Sequence, residues 1–384
     1  MLTATSSPAG NIDAANPLAA LNPLVALTER SVTDVERLHR LTPELAEAIT
    51  DAGFARHFVP RRWGGTAGTF TAALWAVAAV GETCASTSWC AALYAAHGRL
   101  AAYLPEAAQY ELWGDTPDVR IAAAVVPPAG EATATDGGWR LAGRWSYASG
   151  VDHAHWILLS SLTGTGAERV VRVFALPRAA VEVLDTWRNA GLKGTGSHVV
   201  VVDDAFVPGH RTFTLPDLAR TDPGAARCHA IPYQLVAGLQ FAAPVLGAAH
   251  AALRNWTAGV AARRGPDGSP ASPTAGARRT LALASAEIHA AGLMLEAAAH
   301  RADAAEVTPV TVAENVRDAS AAVHQCATAV GRLMKAAGAR AQAEGDPLQR
   351  RWRDVTAAAA HGALGFEAAA DHYAQAVLGA EGAR

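Results

Sequence analysis

The sequence predicts a mainly α-helical protein with one central β domain, because the spacing of its apolar residues changes twice along the 384-residue chain. Residues 31–117 have apolar side chains at helical spacing, residues 118–216 contain short β-branched and aromatic runs, and residues 217–384 return to long alanine-rich helical patterns. Residues 1–30 are rich in Ala, Asn and Pro and are predicted to form a flexible lead-in. The chain therefore divides into an N-terminal helical domain, a middle β domain and a C-terminal helical bundle.

Composition narrows the class of function. The formal net charge is −3 and no basic block is present, which argues against a nucleic-acid partner. The four cysteines have no Cys-x-x-Cys spacing, so they are predicted to be buried free thiols rather than metal ligands. The uncharged stretch 228–253 contains Pro, Gly and Gln, which favours a buried bundle helix over a membrane span. No secretory signal pattern is visible, and a cytoplasmic location is expected.

Helices are predicted in the N-terminal domain from one apolar stripe and two longer apolar runs. The runs at 74–80 and 91–104 are predicted to form buried helices. The pattern changes to that of strands near Pro117. The stripe recurs at helical spacing, which predicts one continuous face, and it consists of Leu38, Leu41, Leu45, Ala48 and Ile49.

The middle domain is predicted to consist of short strands, because its apolar runs are brief and rich in Val, Ile, Trp and Phe. The tripeptide Asp136-Gly137-Gly138 has the composition of a hairpin turn between two of these strands. The predicted strands cover residues 121–126, 139–145, 156–159, 170–174 and 199–202.

Four long helices are predicted after Pro216, and their alanine content suits close packing into a bundle. A loop rich in Pro, Gly and Ser, at 265–276, separates the first two of them. The predicted helices span residues 230–262, 276–305, 309–338 and 347–361.

The last predicted helix ends on a histidine. Asp346 is placed to cap its N-terminus and Pro347 suits the first helical position. Asp354 and His361 are seven residues apart and therefore lie on one helix face, with His361 in the last turn before Gly362. The helix dipole would favour a charged imidazole there. A helix-end histidine without a function has the same local pattern, so the spacing alone leaves both possibilities open.

Four segments, in order along most of the chain, resemble the flavin-dependent two-component monooxygenases (group D) of the acyl-CoA dehydrogenase superfamily. Three correspond to an N-terminal turn, a central strand motif and a glycine-containing loop. The fourth is an Arg-Asp pair followed by a histidine at the spacing found in that family. The segments are Pro60–Gly65, Trp139–Trp156, Trp187–Pro208, and Arg353-Asp354 with His361.

The resemblance implies an acyl-CoA dehydrogenase-like fold, with a β-barrel-like middle domain and a C-terminal four-helix bundle. It also implies the oxygenase subunit of a two-component system, which uses reduced FMN, or possibly FAD, and O2 through a C4a-hydroperoxyflavin. The expected substrate is a small aromatic, polyketide-like or amine compound. A separate NAD(P)H-dependent flavin reductase is the expected partner, the expected assembly is a homotetramer, and neither a metal, a nucleic acid nor a membrane is expected to take part.

The same resemblance assigns roles to individual residues. His361 corresponds to the catalytic histidine, and Ser149 to a hydroxyl near flavin N5. Trp187 corresponds to a tryptophan beside the isoalloxazine. The cofactor-binding set implied by the resemblance is completed by the pocket-wall residue Trp145, the loop residues Thr195, Gly196 and Ser197, and the phosphate-binding Arg263, for which the neighbouring Arg264 is the alternative.

Other interpretations remain open at this stage. Acyl-CoA dehydrogenases carry a catalytic glutamate soon after their Arg-Asp pair, whereas here the first carboxylate after His361 is Glu367. A dehydrogenase or oxidase with a displaced base is therefore one alternative, and a flavin-free bundle homologue is another. For single residues, Ser149 could be a turn serine, Trp145 a core residue, and Arg263 a surface residue at a helix end.

Overall fold

The computed structural model describes residues 21–221 and 224–382, which form an N-terminal helical region, a β domain and a C-terminal helical bundle in that order. The predicted fold class, mainly α with a central β domain, is confirmed. The N-terminal helices are α1 (Leu21–Leu38), α2 (Pro43–Asp51), α3 (Phe70–Gly81), α4 (Ala85–Ala101) and α5 (Glu106–Trp113).

The predicted flexible lead-in is wrong for residues 21–30, which form the first half of α1. Leu21, Leu24 and Thr28 lie on one face of this helix and are buried, so packing against the protein orders a segment of unremarkable composition. The remainder of the predicted lead-in, residues 1–20, lies outside the described residues.

The apolar stripe beginning at Leu38 belongs to two helices rather than one. The chain leaves α1 through His39 in a left-handed conformation (φ 56°), and Thr42 then caps α2 by accepting from the Leu45 N–H. Both helices pack on the core, so apolar residues continue at helical spacing on either side of the break.

Every residue of α4 is buried, which makes this helix the internal axis of the molecule. It packs against α3 and α6 (Leu239–Ala261) on one side and approaches the β domain on the other. Most side chains of this fully buried helix are apolar or small, and its buried His97 and Arg99 are hydrogen-bonded to backbone carbonyls.

The β domain contains two four-stranded sheets. One has the order β1-β4-β5-β8 and the other the order β2-β3-β7-β6, with β1 and β4 as the parallel pair. The predicted hairpin turn joins β2 to β3, so its first strand is one that the sequence did not predict. The strands are β1 (Ile121–Ala124), β2 (Glu131–Thr135), β3 (Gly138–Ala148), β4 (Trp156–Thr163), β5 (Val170–Pro177), β6 (Glu182–Leu184), β7 (His198–Pro208) and β8 (Thr212–Thr214).

The two sheets share a core that consists of side chains from β1, β3, β4, β5 and β7. A separate cluster from β1, β4, β5 and β8 packs against α4 and α5. The sheet β1-β4-β5-β8 is therefore covered on both faces, which fixes the β domain against the N-terminal helices.

The C-terminal bundle has one more helix than predicted. The helix α6 begins at Leu239 rather than at residue 230, and the unpredicted α10 follows the histidine region. The remaining helices are α7 (Ala275–Ala304), α8 (Pro309–Ala337), α9 (Pro347–Ala359) and α10 (Phe366–Gly382).

Two helical stretches are long and apolar enough to cross a membrane by length and composition alone. The first, Tyr233–Ala261, has 72% of its most apolar window buried inside the protein, as expected of a bundle core helix. The second, Ala275–Ala304, has only 33% of that window buried. The helix α7 therefore carries an uncovered apolar face.

Candidate functional site

Three hydroxyl groups meet where β3 ends and β7 begins. Ser149 follows β3 and Ser197 precedes β7, and the last register pair of these strands, Ala148 with His198, sets the two serines side by side. Ser149 Oγ lies 2.7 Å from Ser197 Oγ, which lies 2.7 Å from Thr195 Oγ1. All three residues are buried.

The hydroxyl cluster has a defined direction, because each hydroxyl has one hydrogen to donate. Thr195 donates its hydrogen to the Leu192 carbonyl at 2.9 Å. Ser197 must then donate to Thr195, and Ser149 to Ser197. Ser149 Oγ is thereby left with acceptor capacity. The cluster is suited to a ligand that presents an N–H or O–H group to Ser149.

The helix α4 holds the two chain segments of this cluster together. Tyr94 donates its hydroxyl hydrogen to the Gly150 carbonyl at 2.7 Å, and Gly150 N–H donates to the Thr195 carbonyl at 2.8 Å. In the first turn of α4, Ser86 Oγ accepts from Gly194 N–H at 3.1 Å. The cluster is therefore seated on the first turns of a buried helix.

The Arg353-Asp354 pair fixes the loop that precedes the cluster. Buried Asp354 accepts from Leu192 N–H at 2.7 Å, and Arg353 pairs with Glu36 at 2.8 Å while donating to the Ala190 carbonyl. Burial, together with the Glu36 charge, raises the pKa of Asp354 to about 6. The pair positions the loop rather than the reacting groups.

Gly191 shows how tightly this loop packs on α9. A Cβ atom at Gly191 would lie 2.1 Å from the Arg353 carbonyl oxygen, a distance that no side chain can occupy. The glycine therefore permits the loop to approach the helix closely enough for the Leu192–Asp354 hydrogen bond.

A buried histidine orients Trp187. His198 Nδ1 accepts from the backbone N–H groups of Thr186 and Trp187 at 3.2 and 3.3 Å. Its Nε2 then carries the hydrogen and faces Asp152 Oδ2 at 3.3 Å, and Asp152 is also paired with Arg40 at 2.9 Å. A chain of polar contacts thus fixes the backbone on which the tryptophan stands.

Trp187 forms an aromatic pair with Tyr147 at the surface beside the cluster. The ring centroids are 6.4 Å apart and nearly perpendicular, and Trp187 Nε1 donates to the Leu192 carbonyl at 2.9 Å. Tyr147 is 66% exposed and has a positive φ of 67°, where the strand bulges. Large exposed rings held this firmly are suited to receive a flat ligand.

The structure places His361 just beyond α9, not in its last turn. The helix ends at Ala359 with Ala360 as the C-cap, and His361 has extended backbone angles (φ −67°, ψ 131°). Its Nδ1 accepts from Ala363 N–H at 3.2 Å, capping the short turn that follows. The predicted helix end is therefore about half a turn too late, because the helix ends two residues before His361 and before the glycines that were expected to end it.

His361 lies in an aromatic slot, defined by Trp89 of α4 and Phe241 of α6. Its ring stacks on Phe241 with centroids 4.1 Å apart and lies 5.7 Å from Trp89 in an edge arrangement. The next residue on α4, Cys90, contacts the Thr195 carbonyl through its thiol at 3.7 Å. The imidazole and the hydroxyl cluster thus approach adjacent residues of one helix.

Burial lowers the pKa of His361, which reverses the expectation that a helix dipole would favour its charged form. The Ala363 N–H that points at Nδ1 also opposes protonation of that nitrogen. The neutral ring therefore carries its hydrogen on Nε2, and this nitrogen is a hydrogen-bond donor to any ligand in the slot.

Trp145 is a core residue and not a wall of the site, so its predicted cofactor role is wrong. It is 1% exposed between the two sheets, and its Nε1 donates to the Ser160 carbonyl at 2.7 Å. The alternation along β3 places it on the inner face of the sheet.

Arg263 lies at the other end of α6 from the aromatic slot, and its predicted phosphate-binding role stays a prediction. It is exposed and follows the C-cap of α6, whereas Phe241 of the aromatic slot lies in the first turn of that helix. At about 1.5 Å of rise per residue, the two ends are roughly 33 Å apart. The neighbouring Arg264 is exposed as well, and its side chain donates only to nearby carbonyls.

Several residues that build the site were not singled out from the sequence. Phe241 lies in a segment that was predicted only as a buried helix, and Trp89 lies two residues before another, at 91–104; aromatic residues at such positions have the same pattern as core. The other missed residues act through contacts that only the folded chain brings near: Ser86, Tyr94 and His198 contact backbone groups, and Asp152 contacts the side chains of Arg40 and His198.

The arrangement fits reduced flavin. The N5 position of a reduced isoalloxazine carries a hydrogen, which matches the free acceptor capacity of Ser149, and the Tyr147–Trp187 pair offers faces for a flat ring. The residues that would hold the cofactor are thus Ser149, Trp187 and the segment 195–197. No carboxylate is paired with His361 among the described residues, and Glu367 is exposed on α10, so no dehydrogenase-type base faces the slot.

Comparison with known proteins agrees with this site. A family model described as the acyl-CoA dehydrogenase C-terminal domain matches residues 239–366. The flavin-dependent monooxygenase oxygenase subunit HsaA of Rhodococcus jostii is 32% identical over 355 residues, covering 88% of this chain and 92% of the relative. The oxygenase component of the FADH2-dependent resorcinol hydroxylase of a Rhizobium species is 31% identical over 379 residues and covers 92% of both chains.

A solved structure shows the same architecture. XiaF from a Streptomyces species, in complex with FADH2 and glycerol, superposes with a TM-score of 0.86 and 28% sequence identity. The superposition covers 94% of this chain and 95% of that one. The dehydrogenase and flavin-free alternatives find no support among these relatives, which are named as monooxygenases and hydroxylases or contain reduced flavin.

Proposed function

Since the chain belongs to the oxygenase components of the flavin-dependent monooxygenases, we propose that it hydroxylates a phenolic ring held in the aromatic slot beside His361. The observation that carries this proposal is the neutral, partly buried imidazole, stacked on Phe241 with its Nε2 hydrogen free. Such a group binds and polarises an oxygen on an aromatic ring, and the rings of Phe241 and Trp89 beside it are suited to pack against that ring.

Reduced flavin, when bound, supplies the two electrons that allow one atom of O2 to enter the product while the other leaves as water. The protein's own groups act on either side of it. With the cofactor bound, Ser149 would accept a hydrogen bond from it, Trp187 would help to hold its ring system, and the buried α4 wall would keep water from the reacting atoms. Flavin chemistry requires neither a metal nor a protein nucleophile.

His361 acts as a hydrogen-bond donor in this proposal. Its Nε2 hydrogen contacts the phenolic oxygen of the substrate, and in doing so stabilises the phenolate character that makes the neighbouring ring carbon nucleophilic. The neutral ring is able to do this because its Nδ1 is already occupied by Ala363 N–H.

Reduced FAD, supplied by a separate flavin reductase, is the cofactor we infer in place of the FMN first expected. Two relatives support FAD: one is named FADH2-dependent and the other was solved with FADH2. The words oxygenase subunit and oxygenase component in the relatives' names support a second protein as the electron source. Anaerobic titrations with reduced FAD and with reduced FMN test the choice, since tighter binding of FMN would contradict it.

The proposed reaction is tested with labelled oxygen. The purified protein, a flavin reductase, NADH, FAD and a simple phenol such as resorcinol are mixed under ¹⁸O2. One labelled atom is expected in the catechol-type product, and no product is expected when the reductase is omitted. Unlabelled product, or bleaching of bound flavin by an acyl-CoA, would instead indicate dehydrogenase chemistry.

Replacing Ser149 with alanine is expected to uncouple oxygen consumption from hydroxylation, because the acceptor for the N5 hydrogen is lost. The fraction of consumed oxygen released as hydrogen peroxide should rise roughly tenfold, in the range of one oriented hydrogen bond. An oxygen electrode with catalase addition measures it. Ser161→Ala, which removes a buried hydroxyl on β4 bonded to the Gly130 carbonyl, is the matched control. Equal peroxide yields in the two variants would contradict the assignment.

The uncovered face of α7 supports the proposed homotetramer. Leu293 is 52% exposed on this helix, and Leu281 and Leu283 are each 37% exposed. Exposed apolar surface of this kind marks a region that associates with another protein surface. The Leu293→Arg variant is expected to sediment as a smaller species in analytical ultracentrifugation. Leu162→Arg, at a 39% exposed position on β4, is the control and should leave the assembly intact.

A further inference from the structure

A narrow pocket lies between α3, α4 and α6, and two of these helices, α4 and α6, also carry the aromatic slot. It encloses about 460 Å³ of empty space when its mouth is included. Its lining is apolar except for three side chains, those of Arg99, Tyr233 and Gln240. The proposed hydroxylation assigns no role to this pocket or to its arginine.

Arg99 is held rigidly in the wall of this pocket. It is 2% exposed, its Nε donates to the Cys228 carbonyl at 2.6 Å, and its Nη2 donates to the Ile231 carbonyl at 2.6 Å. Its Nη1 is buried and has no hydrogen-bond partner, and within residues 21–221 and 224–382 no carboxylate pairs with the guanidinium. Arg99 therefore has three of its five N–H donors left to use, two on Nη1 and one on Nη2.

The free-energy cost of burying the Arg99 charge is only partly offset by its contacts. Arginine stays charged at all ordinary pH values, and a buried charge without a counter-ion is costly. Aromatic rings offset part of that cost, since the guanidinium carbon lies 5.3 Å from the Tyr233 ring and 5.8 Å from the Phe70 ring. An anion that reached Nη1 would supply the missing partner.

The pocket and the aromatic slot share two helices. On α4, Trp89 of the slot and the pocket residues Ala92, Ala96 and Arg99 follow one another at three- and four-residue spacing, which places them on one face. Arg99 is roughly 15 Å along the axis from Trp89, at about 1.5 Å per residue. On α6, Phe241 of the slot is the neighbour of Gln240 of the pocket.

We propose that Arg99 is a specificity-determining residue, which binds a carboxylate at the far end of an aromatic substrate whose hydroxyl-bearing ring lies in the slot. This inference rests on the proposed function for the position of the ring. The space open to the centre of a water-sized molecule is only about 40 Å³, so the connecting part of the substrate must be slender. A flat carboxylate matches the free edge of one guanidinium, whereas a phosphate would need more donors.

The first test compares ligands on the unaltered protein. The probes are the 4-hydroxyphenyl alkanoates from the acetate to the octanoate, each beside its primary amide. Calorimetric titrations are run on the full chain, with and without reduced FAD under anaerobic conditions. We expect one intermediate chain length at which the acid binds roughly 10- to 100-fold more tightly than its amide, the range of a charged hydrogen bond. Equal affinities for acid and amide at every length would overturn the proposal.

The second test uses variants. Arg99→Met should abolish the preference for acid over amide, and Arg279→Met, at an exposed arginine on α7, should leave it unchanged. Arg99 also donates to two backbone carbonyls, so its replacement could disturb the local fold. Ala96→Leu is therefore a second variant, which narrows the pocket and leaves the charge of Arg99 in place. It should weaken binding of the long acid while the acetate binds as before. Retention of the acid preference in Arg99→Met, or of long-acid binding in Ala96→Leu, would overturn the proposal.

These outcomes are separable from failure of the proposed hydroxylation, because binding is measured without turnover. If resorcinol is hydroxylated and the acids bind no better than the amides, only the role of Arg99 is wrong. If no phenol is hydroxylated yet the acid preference depends on Arg99, the pocket binds a carboxylate as proposed and the reaction has been misassigned.

Discussion

In a His361→Ala variant, product formation is expected to fall by roughly 100- to 10,000-fold while reduced flavin is still consumed by oxygen. The range is that of one positioned acid–base or hydrogen-bonding side chain. The reason is that the substrate oxygen would lose the Nε2 donor, whereas the hydroxyl cluster around Ser149 would remain intact. Product is measured by chromatography and oxygen uptake with an electrode in the same reaction.

Two further substitutions at this position separate donation from packing. His361→Phe keeps a ring that stacks on Phe241 but has no donor, and it should be as inactive as the alanine variant. His361→Gln restores an amide donor and should recover part of the activity. An active phenylalanine variant would show that the imidazole serves only to shape the slot.

The pH dependence of the unaltered enzyme follows from the same side chain. Burial lowers the pKa of His361, so the neutral ring with its bound Ala363 N–H persists below pH 6.5. Protonation of Nδ1 would break that contact and move the ring. Activity should therefore decrease as the pH falls below 6.5. This decrease at acid pH should be absent from the residual activity of the His361→Gln variant.

Replacing Asp354 with asparagine is expected to change how folding stability depends on pH. The folded-state pKa is raised from 3.8 to about 6, so between these values the folded chain keeps a proton that the unfolded chain has released. The free energy of unfolding therefore decreases as pH rises through this window, by up to about 3 kcal/mol for a shift of about two units. Asparagine cannot ionise, and its side-chain oxygen can still accept from Leu192 N–H.

Urea unfolding at a series of pH values measures this effect. The difference between Asp354→Asn and the unaltered protein should grow in favour of the variant from about pH 4 to pH 7. Asp346→Asn makes the same chemical change at the partly exposed N-cap of the same helix and is the matched control. Identical pH dependence in the two variants would mean that burial of Asp354 does not govern its ionisation.

The sequence predicted well the features that depend on neighbouring residues. The order of helices and strands followed from apolar spacing, and Ser149, Thr195 and Ser197 were identified by resemblance before the structure showed them in contact. The fold class was confirmed because a change of periodicity is a local property that survives without knowledge of tertiary contacts.

The features that depend on distant contacts were missed or wrong. Trp145 and Trp187 both lie in recognisable motifs, but only the structure shows that Trp145 on β3 faces the core and that Trp187, in the loop before β7, lies beside the hydroxyl cluster. Arg263 was placed by analogy with relatives, and the length of α6 removes it from the slot of its own chain. Which nitrogen of His361 carries the hydrogen depends on the Ala363 N–H, in a short turn that follows the end of α9.

The contact between Glu36 and Arg353 joins the first described helix to the ninth across the loop that carries Leu192. On the ribosome, domains fold in order as they emerge, N-terminal parts first. The loop cannot be seated when it is synthesised, because Asp354 and Arg353 emerge more than 150 residues later. Flavin binding must therefore be among the last properties that a newly made chain acquires. A chain cut short before α9 would be expected to fold its β domain and yet leave the cofactor unbound.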